Sequence, residues 1–182
     1  MMRLRASRPR FWVLIVPLIL CLTFFTSVAN GHLINPQHGS LNVTEDGAYL
    51  VISIPASAFR DIDRNLDEAI SIAEFNQSRG AILRAVNREV HLSAETNSLV
   101  LEGVMFSPEI SHEDQNNVTH VVVMGRFSLP ETAPATRLQI NLFGQGANEN
   151  FFKILITRGS IETSIKLTPE EPSVALTGLD PR

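Results

Sequence analysis

Between Asp63 and Glu74, oxygen-bearing side chains recur at positions 1, 3, 5, 9 and 12 of a twelve-residue stretch: Asp63, Asn65, Asp67, Ser71 and Glu74. Ala69 stands at position 7, where a backbone carbonyl suffices, and Ile70 at position 8 is an aliphatic expected to pack inward. Alternate oxygens are what a hard cation requires. Calcium takes six to eight oxygen ligands at about 2.3–2.6 Å, and a loop curling round the ion presents every second side chain to it. A glutamate on the first turn of the following helix can close the shell with both carboxylate oxygens. The chemistry expected here is Ca²⁺ coordination by Asp63, Asn65, Asp67, the Ala69 carbonyl, Ser71 and Glu74.

This spacing resembles the EF-hand calcium loop, and the resemblance spans roughly 30 residues with its flanking helices. Two positions depart from the pattern. Glu68 occupies position 6, where the family has a glycine for a left-handed turn. A non-Gly residue there costs about 1–2 kcal/mol, or about five- to thirtyfold in affinity. Leu66 places an apolar side chain at position 4, and the chain has no second such loop to pair with. A single site of this kind belongs in the weak range of about 10⁻⁵–10⁻³ M.

The loop needs elements on either side. Pro55 suits a first helical turn, with Ala58, Phe59 and Ile62 as a short apolar stripe. A longer helix is expected from Ile72, because Phe75, Ile82, Leu83, Val86 and Val90 keep roughly helical spacing. This helix-loop-helix insertion, at about 55–90, interrupts a strand-rich chain. Tyr49, Val51 and Ser53 alternate with Leu50, Ile52 and Ile54. Leu99 to Phe106 reads as one strand through Gly103, and Val118 to Leu129 as a long β-branched strand with a bulge at Gly125. Leu138, Ile140 and Leu142 alternate as well, and Phe151–Thr157, apolar on both faces, reads as a covered central strand. Ile161, Thr163, Ile165 and Leu167 share a face after a turn at Gly159. Short strands between turns rich in Gly, Asn and Pro predict a mainly β, β-sandwich-like domain over residues 32–168. The tail 169–182 carries Pro169, Pro172 and Pro181 and is expected to be extended or mobile.

The N-terminus reads as an address. Arg3, Arg5, Arg8 and Arg10 precede an apolar run from Phe11 to Phe25, which predicts a signal helix in a secretory signal peptide over 1–31, cleaved after Ala29 or Gly31. Its 15 residues, interrupted by Pro17, fall short of the roughly 20 that span a bilayer; retention as an uncleaved anchor is the rival reading. Without those four arginines, 11 basic residues face 19 acidic ones, a net charge of −8. Such a domain is expected in a periplasm or outside the cell, and it does not suit nucleic acid. The only cysteine, Cys21, lies in the signal run, so a disulfide framework and a thiol nucleophile are both excluded from the mature chain.

Either cleavage brings His32 to or near the new terminus, where the amino group, backbone nitrogens and imidazole could hold Cu(II) or Ni(II), with His38 joining. His112-Glu113-Asp114 reads as a solvated loop, and His91 and His120 as packing or surface residues of strands. There is no G-x-S-x-G elbow, H-E-x-x-H helix, phosphate-binding loop or dinucleotide fingerprint, so no enzyme is expected.

Gly31-His32-Leu33-Ile34-Asn35-Pro36, Gly39-Ser40-Leu41-Asn42 and Asp46-Gly47-Ala48-Tyr49-Leu50 are similar to segments of uncharacterised exported bacterial proteins containing an EF-hand. More distantly they resemble the extracytoplasmic domain of membrane proteins of the hydrogenase/urease-accessory (HupE/UreJ) type. The resemblance implies an exported β-domain with a calcium-loop insertion and no known catalytic residues. Separately, calcium that orders the loop and sets the angle of the helix from Ile72 is expected to expose a surface for a protein partner at the cell envelope.

Overall fold

Where apolar and polar residues alternate, the chain forms strands, and ten lie among the residues described by this computed structural model: 37–94, 97–130 and 136–176. The described residues fall within one compact unit, Ile34–Arg182. The signal segment expected at 1–31 lies outside the described residues.

The fold is mainly β. One sheet has six strands: β1 (His38–Val43), β2 (Gly47–Pro55), β5 (Leu101–Ile110), β6 (Val118–Ser128), β8 (Phe152–Arg158) and β9 (Ile161–Leu167). Their spatial order is β5-β6-β2-β1-β8-β9. The other sheet has four: β3 (Val90–Ala94), β4 (Asn97–Leu99), β7 (Thr136–Ile140) and β10 (Ser173–Ala175), in the order β10-β7-β3-β4. All pairs are antiparallel except β1 with β8, which run parallel with His38 opposite Lys153.

The period-two reading accounts for the core. Leu50, Ile52 and Ile54 of β2, Val121 and Val123 of β6 and Ile154 of β8 join Leu92, Leu138 and Ile140 of the smaller sheet in one hydrophobic cluster. Tyr49, on the other face of β2, is exposed. The run from Leu99 to Phe106 is not one strand. Leu99 ends β4 in the small sheet, Leu101 begins β5 in the large one, and Val100 between them is 64% exposed. Strand β8 is covered on one face only, since Phe152, Ile154 and Ile156 are buried while Lys153 and Leu155 face outward. Apolar content alone misjudged its cover.

Gly125 is paired in register with Leu50, and the irregularity sits across from it: Gly103 and Val104 both fall opposite Gly125, with Gly103 at φ 59°. The glycine in β6 serves space instead. A Cβ on Gly125 would lie 2.6 Å from Cγ of the buried Leu101. The proline-rich tail supplies β10, and Leu176 beyond it is buried.

The expected helical insertion forms in part. After β2, the chain makes two 3₁₀ turns, Ala56–Ala58 and Arg60–Ile62, rather than an α-helix. Ala56, Phe59 and Ile62 are buried and spaced by three, which matches the three-residue turn of a 3₁₀ helix and not the 3.6 of an α-helix. The following helix comes in two pieces, α1 (Ile72–Gln77) and α2 (Arg79–Glu89), meeting at the buried Ser78. Phe75, Ile82 and Val86 face the core as expected, Leu83 is partly exposed, and Val90 already begins β3.

Candidate functional site: the loop from Asp63 to Glu74

The loop is held shut by its own backbone. Asp63 Oδ1 accepts from the Leu66 N–H at 2.8 Å and Oδ2 from the Glu68 N–H at 3.0 Å. Both donors sit on residues in the left-handed region, Leu66 at φ 60° and Glu68 at φ 68°. The glutamate at position 6 thus makes the turn that glycine would make, and one carboxylate holds the two unfavourable conformations in place. Leu66 is 83% exposed, so its apolar side chain stays out of the loop interior. Asn65 Nδ2 donates to Asp67 Oδ2 at 2.8 Å, the Asp67 N–H to Asn65 Oδ1 at 3.1 Å, and the Ala69 N–H to Asp67 Oδ1 at 3.0 Å.

Glu74 ties the two ends together. Its Oε1 accepts from the N–H groups of Arg64 at 3.0 Å and Asn65 at 3.4 Å. Its Oε2 accepts from Ser71 N–H at 2.9 Å and Ser71 Oγ at 2.7 Å, while Ser71 Oγ accepts from the Glu74 N–H at 3.2 Å. Ser71 is therefore the N-cap of α1, and with Glu74 it forms a capping box. The Ser71-x-x-Glu74 pattern was visible in the sequence, but the same two residues also occupied ligand positions. Donation from Ser71 first, then from Arg64, pulls the Glu74 carboxyl down to about 2.

The far end of the loop is anchored on the large sheet. Ile70, buried as expected for position 8, offers its carbonyl to the Val118 N–H at 2.8 Å, and the Ile72 N–H donates to the Asn116 carbonyl at 3.0 Å. Ser71 and Asn117 thereby form an antiparallel bridge, so the turn before β6 supplies the pairing surface that no second loop provides. Behind it, the buried Phe75 meets Phe106 of β5 edge-on at 6.0 Å, and the Arg79 guanidinium lies 4.6 Å from the Phe106 ring centre. Helix α1 is thus fixed to both the loop and the sheet.

The donor set is wholly hard oxygen, which fits calcium rather than a transition metal. Among the described residues, however, no three His, Cys, Asp or Glu side chains gather closely enough to hold a metal by themselves. The three acids at ligand positions, Asp63, Asp67 and Glu74, are turned to backbone or side-chain N–H groups instead. A cation would have to draw also on Asn65, Ser71 and the Ala69 carbonyl.

The other sequence candidates are placed as follows. His32 lies outside the described residues, and His38 opens β1 partly buried, with a partner of its own. The His112-Glu113-Asp114 segment is an exposed turn. His91 is on β3, bonded to the Arg88 carbonyl. His120 is buried in β6, where Gln37 Nε2 donates to its Nε2 at 3.1 Å. Glu109 pairs across from it on β5, and the fully buried Ser53 of β2 donates to that Glu109 at 3.2 Å. Burial lowers the His120 pKa, against the opposing pull of Glu109 and Glu149. No local motif could have revealed this polar cluster, since its members come from β2, β5, β6 and the segment before β1.

A scan against protein-family models finds no match for the chain, and a search of curated proteins finds none either.

Proposed function

We propose that this is an exported, calcium-binding structural and interaction protein, in which a β-sandwich-like domain carries a single degenerate EF-hand-like loop. The observation that carries the reading is the backbone at Leu66 and Glu68. Both adopt left-handed φ at the positions where the sequence departs from the EF-hand pattern, and Asp63 holds both. What supports the reading is that Glu68 takes, at position 6, the left-handed conformation that the EF-hand pattern reserves for glycine. Asp63, Asn65, Asp67, the Ala69 carbonyl, Ser71 and Glu74 would hold Ca²⁺, whose role is ordering. Through Ile70, Ile72 and Phe75, an ion in the loop sets the angle of α1 against β5 and β6 and with it a surface for a protein partner at the envelope. The setting is periplasmic or extracellular, and no catalytic role is assigned.

Calorimetric calcium titration of the full chain, stripped with chelator, tests this. Saturable binding with a Kd of about 10⁻⁵–10⁻³ M is expected, with magnesium weaker. Glu74→Gln keeps an amide that can still serve the capping box but removes the closing charge, so it should abolish binding while preserving the fold. No heat and no thermal stabilisation at about 10 mM calcium, ten times the weak end of that range, would refute the proposal.

A further inference from the structure

A cleft of 710 Å³ opens between α2 and the 3₁₀ turns that precede the loop, and four arginines line it: Arg60, Arg64, Arg84 and Arg88. Against them stand two lining carboxylates, Asp61 and Glu89. Only Arg88 forms an ion pair there, through Nε to Glu89 at 2.7 Å. Arg64 gives Nη1 to the neutral Gln77 at 3.0 Å. Among the described residues, the side chains of Arg60 and Arg84 have no hydrogen bond or ion pair. In a chain whose overall charge is −4, gathering four guanidinium groups round one cleft costs repulsion, and free acidic residues could have relieved it.

The floor on α2 is made of small residues, Gly80, Ala81 and Ala85. Glycine weakens a helix interior relative to alanine, and packing does not demand it here. A Cβ on Gly80 would meet no protein atom nearer than Arg84 Nη1, at 3.5 Å. What that Cβ would enter is the cleft beside the guanidinium.

We propose that this cleft binds a small anion of the phosphoryl class carrying more than one oxyanion group. Guanidinium forks match phosphate oxygens in bidentate geometry, and several forks can share the oxygens of a single phosphoryl group. The volume falls in the range of small-ligand sites, about 300–1,000 Å³, which leaves room for a diphosphate or a phosphorylated small molecule. The proposal does not rest on the calcium reading.

The test is titration of the full chain with pyrophosphate in calcium-free chloride buffer, followed by calorimetry. Binding should be saturable and weaken with salt, and Arg60→Gln and Arg84→Gln should each reduce it by about tenfold or more. Gly80→Leu, which keeps every charge and suits a helix, should do the same by filling the cleft. Unchanged circular dichroism would show that these variants fold. Sedimentation with phosphatidylglycerol vesicles against phosphatidylcholine vesicles separates a lipid headgroup from a free phosphate. Vesicle binding lost in Arg84→Gln names the first source, and pyrophosphate binding without vesicle binding names the second. Tighter binding of citrate than pyrophosphate, affinity indifferent to Arg84→Gln, or no binding at millimolar pyrophosphate or to either vesicle would overturn the proposal.

Discussion

Replacing Glu68 by glycine should stabilise the protein. At φ 68° a residue with a Cβ is strained by about 1–2 kcal/mol. Glycine relieves that strain but adds about 0.5–1 kcal/mol of backbone entropy to the unfolded chain. Little else changes. The Glu68 contact with Asp63 is made by its backbone N–H, which glycine retains, and the side chain is exposed. The net gain is about 0.5–1 kcal/mol, visible as a rise of about 1–4 °C in Tm for a domain of this size. Urea denaturation, with a fixed m value, measures it directly. Glu68→Ala is the control, since it removes the same charge and side chain but keeps the Cβ, and it should gain nothing. If glycine and alanine variants move together, or glycine lowers the midpoint, the left-handed turn at this position is not what limits the loop.

Other perturbations follow from packing and charge. Gly125→Ala should cost about 1–3 kcal/mol by overpacking Leu101, and Leu101→Ala in the same chain should recover part of it in a double-mutant cycle of denaturation midpoints. Glu74 has its carboxyl pKa lowered from 4.5 to about 2, so its contribution is complete above about pH 4.5 and is lost as pH falls towards 2. Glu74→Gln should flatten that part of the stability–pH curve. His120 works over a higher range: below its ordinary 6.5, the unfolded chain takes up a proton that the buried ring resists, so stability drops as pH falls from there. His120→Gln should remove that slope, and an NMR titration of the ring that gave a pKa above 6.5 would refute the sign.

The strands were legible because one-sided burial imposes a period of two on β2 and β7, and the structure keeps the faces that the sequence assigns to Leu50, Ile52, Leu138 and Ile140. Long-range features were not. Val100 carries the chain from one sheet to the other, yet the residues around it read as one continuous apolar run. Gly125 announced an irregularity, but only the pairing reveals that the extra residue belongs to β5. Between Ala56 and Ile62, a spacing of three is easily taken for one of 3.6 over so short a stretch. The loop acids were visible at once, whereas their engagement with the loop backbone depends on φ at Leu66 and Glu68, for which their residue types offer no signal. The arginines of the cleft are scattered from position 60 to 88 and converge only when α2 folds back over the 3₁₀ turns.

The parallel pairing of β1 with β8 has a consequence for the order of folding. Strand β1 meets β2 through a tight turn closed by Thr44 and Gly47, but its other edge waits for residues 115 positions away, as Asn42 and Thr157 show. Each doubling of a loop adds about 0.6 kcal/mol of closure entropy, so the two edges of one strand are completed at very different cost. The hairpins β1–β2 and β8–β9 can form early and locally. Their joining closes the loop that contains β3 to β7, so it is expected to be the slower pairing, in the millisecond-to-second regime of non-local β topologies. Until then, β1 has an open edge able to pair with the β8 of another chain. Protein concentration during refolding should therefore govern yield more than final stability does.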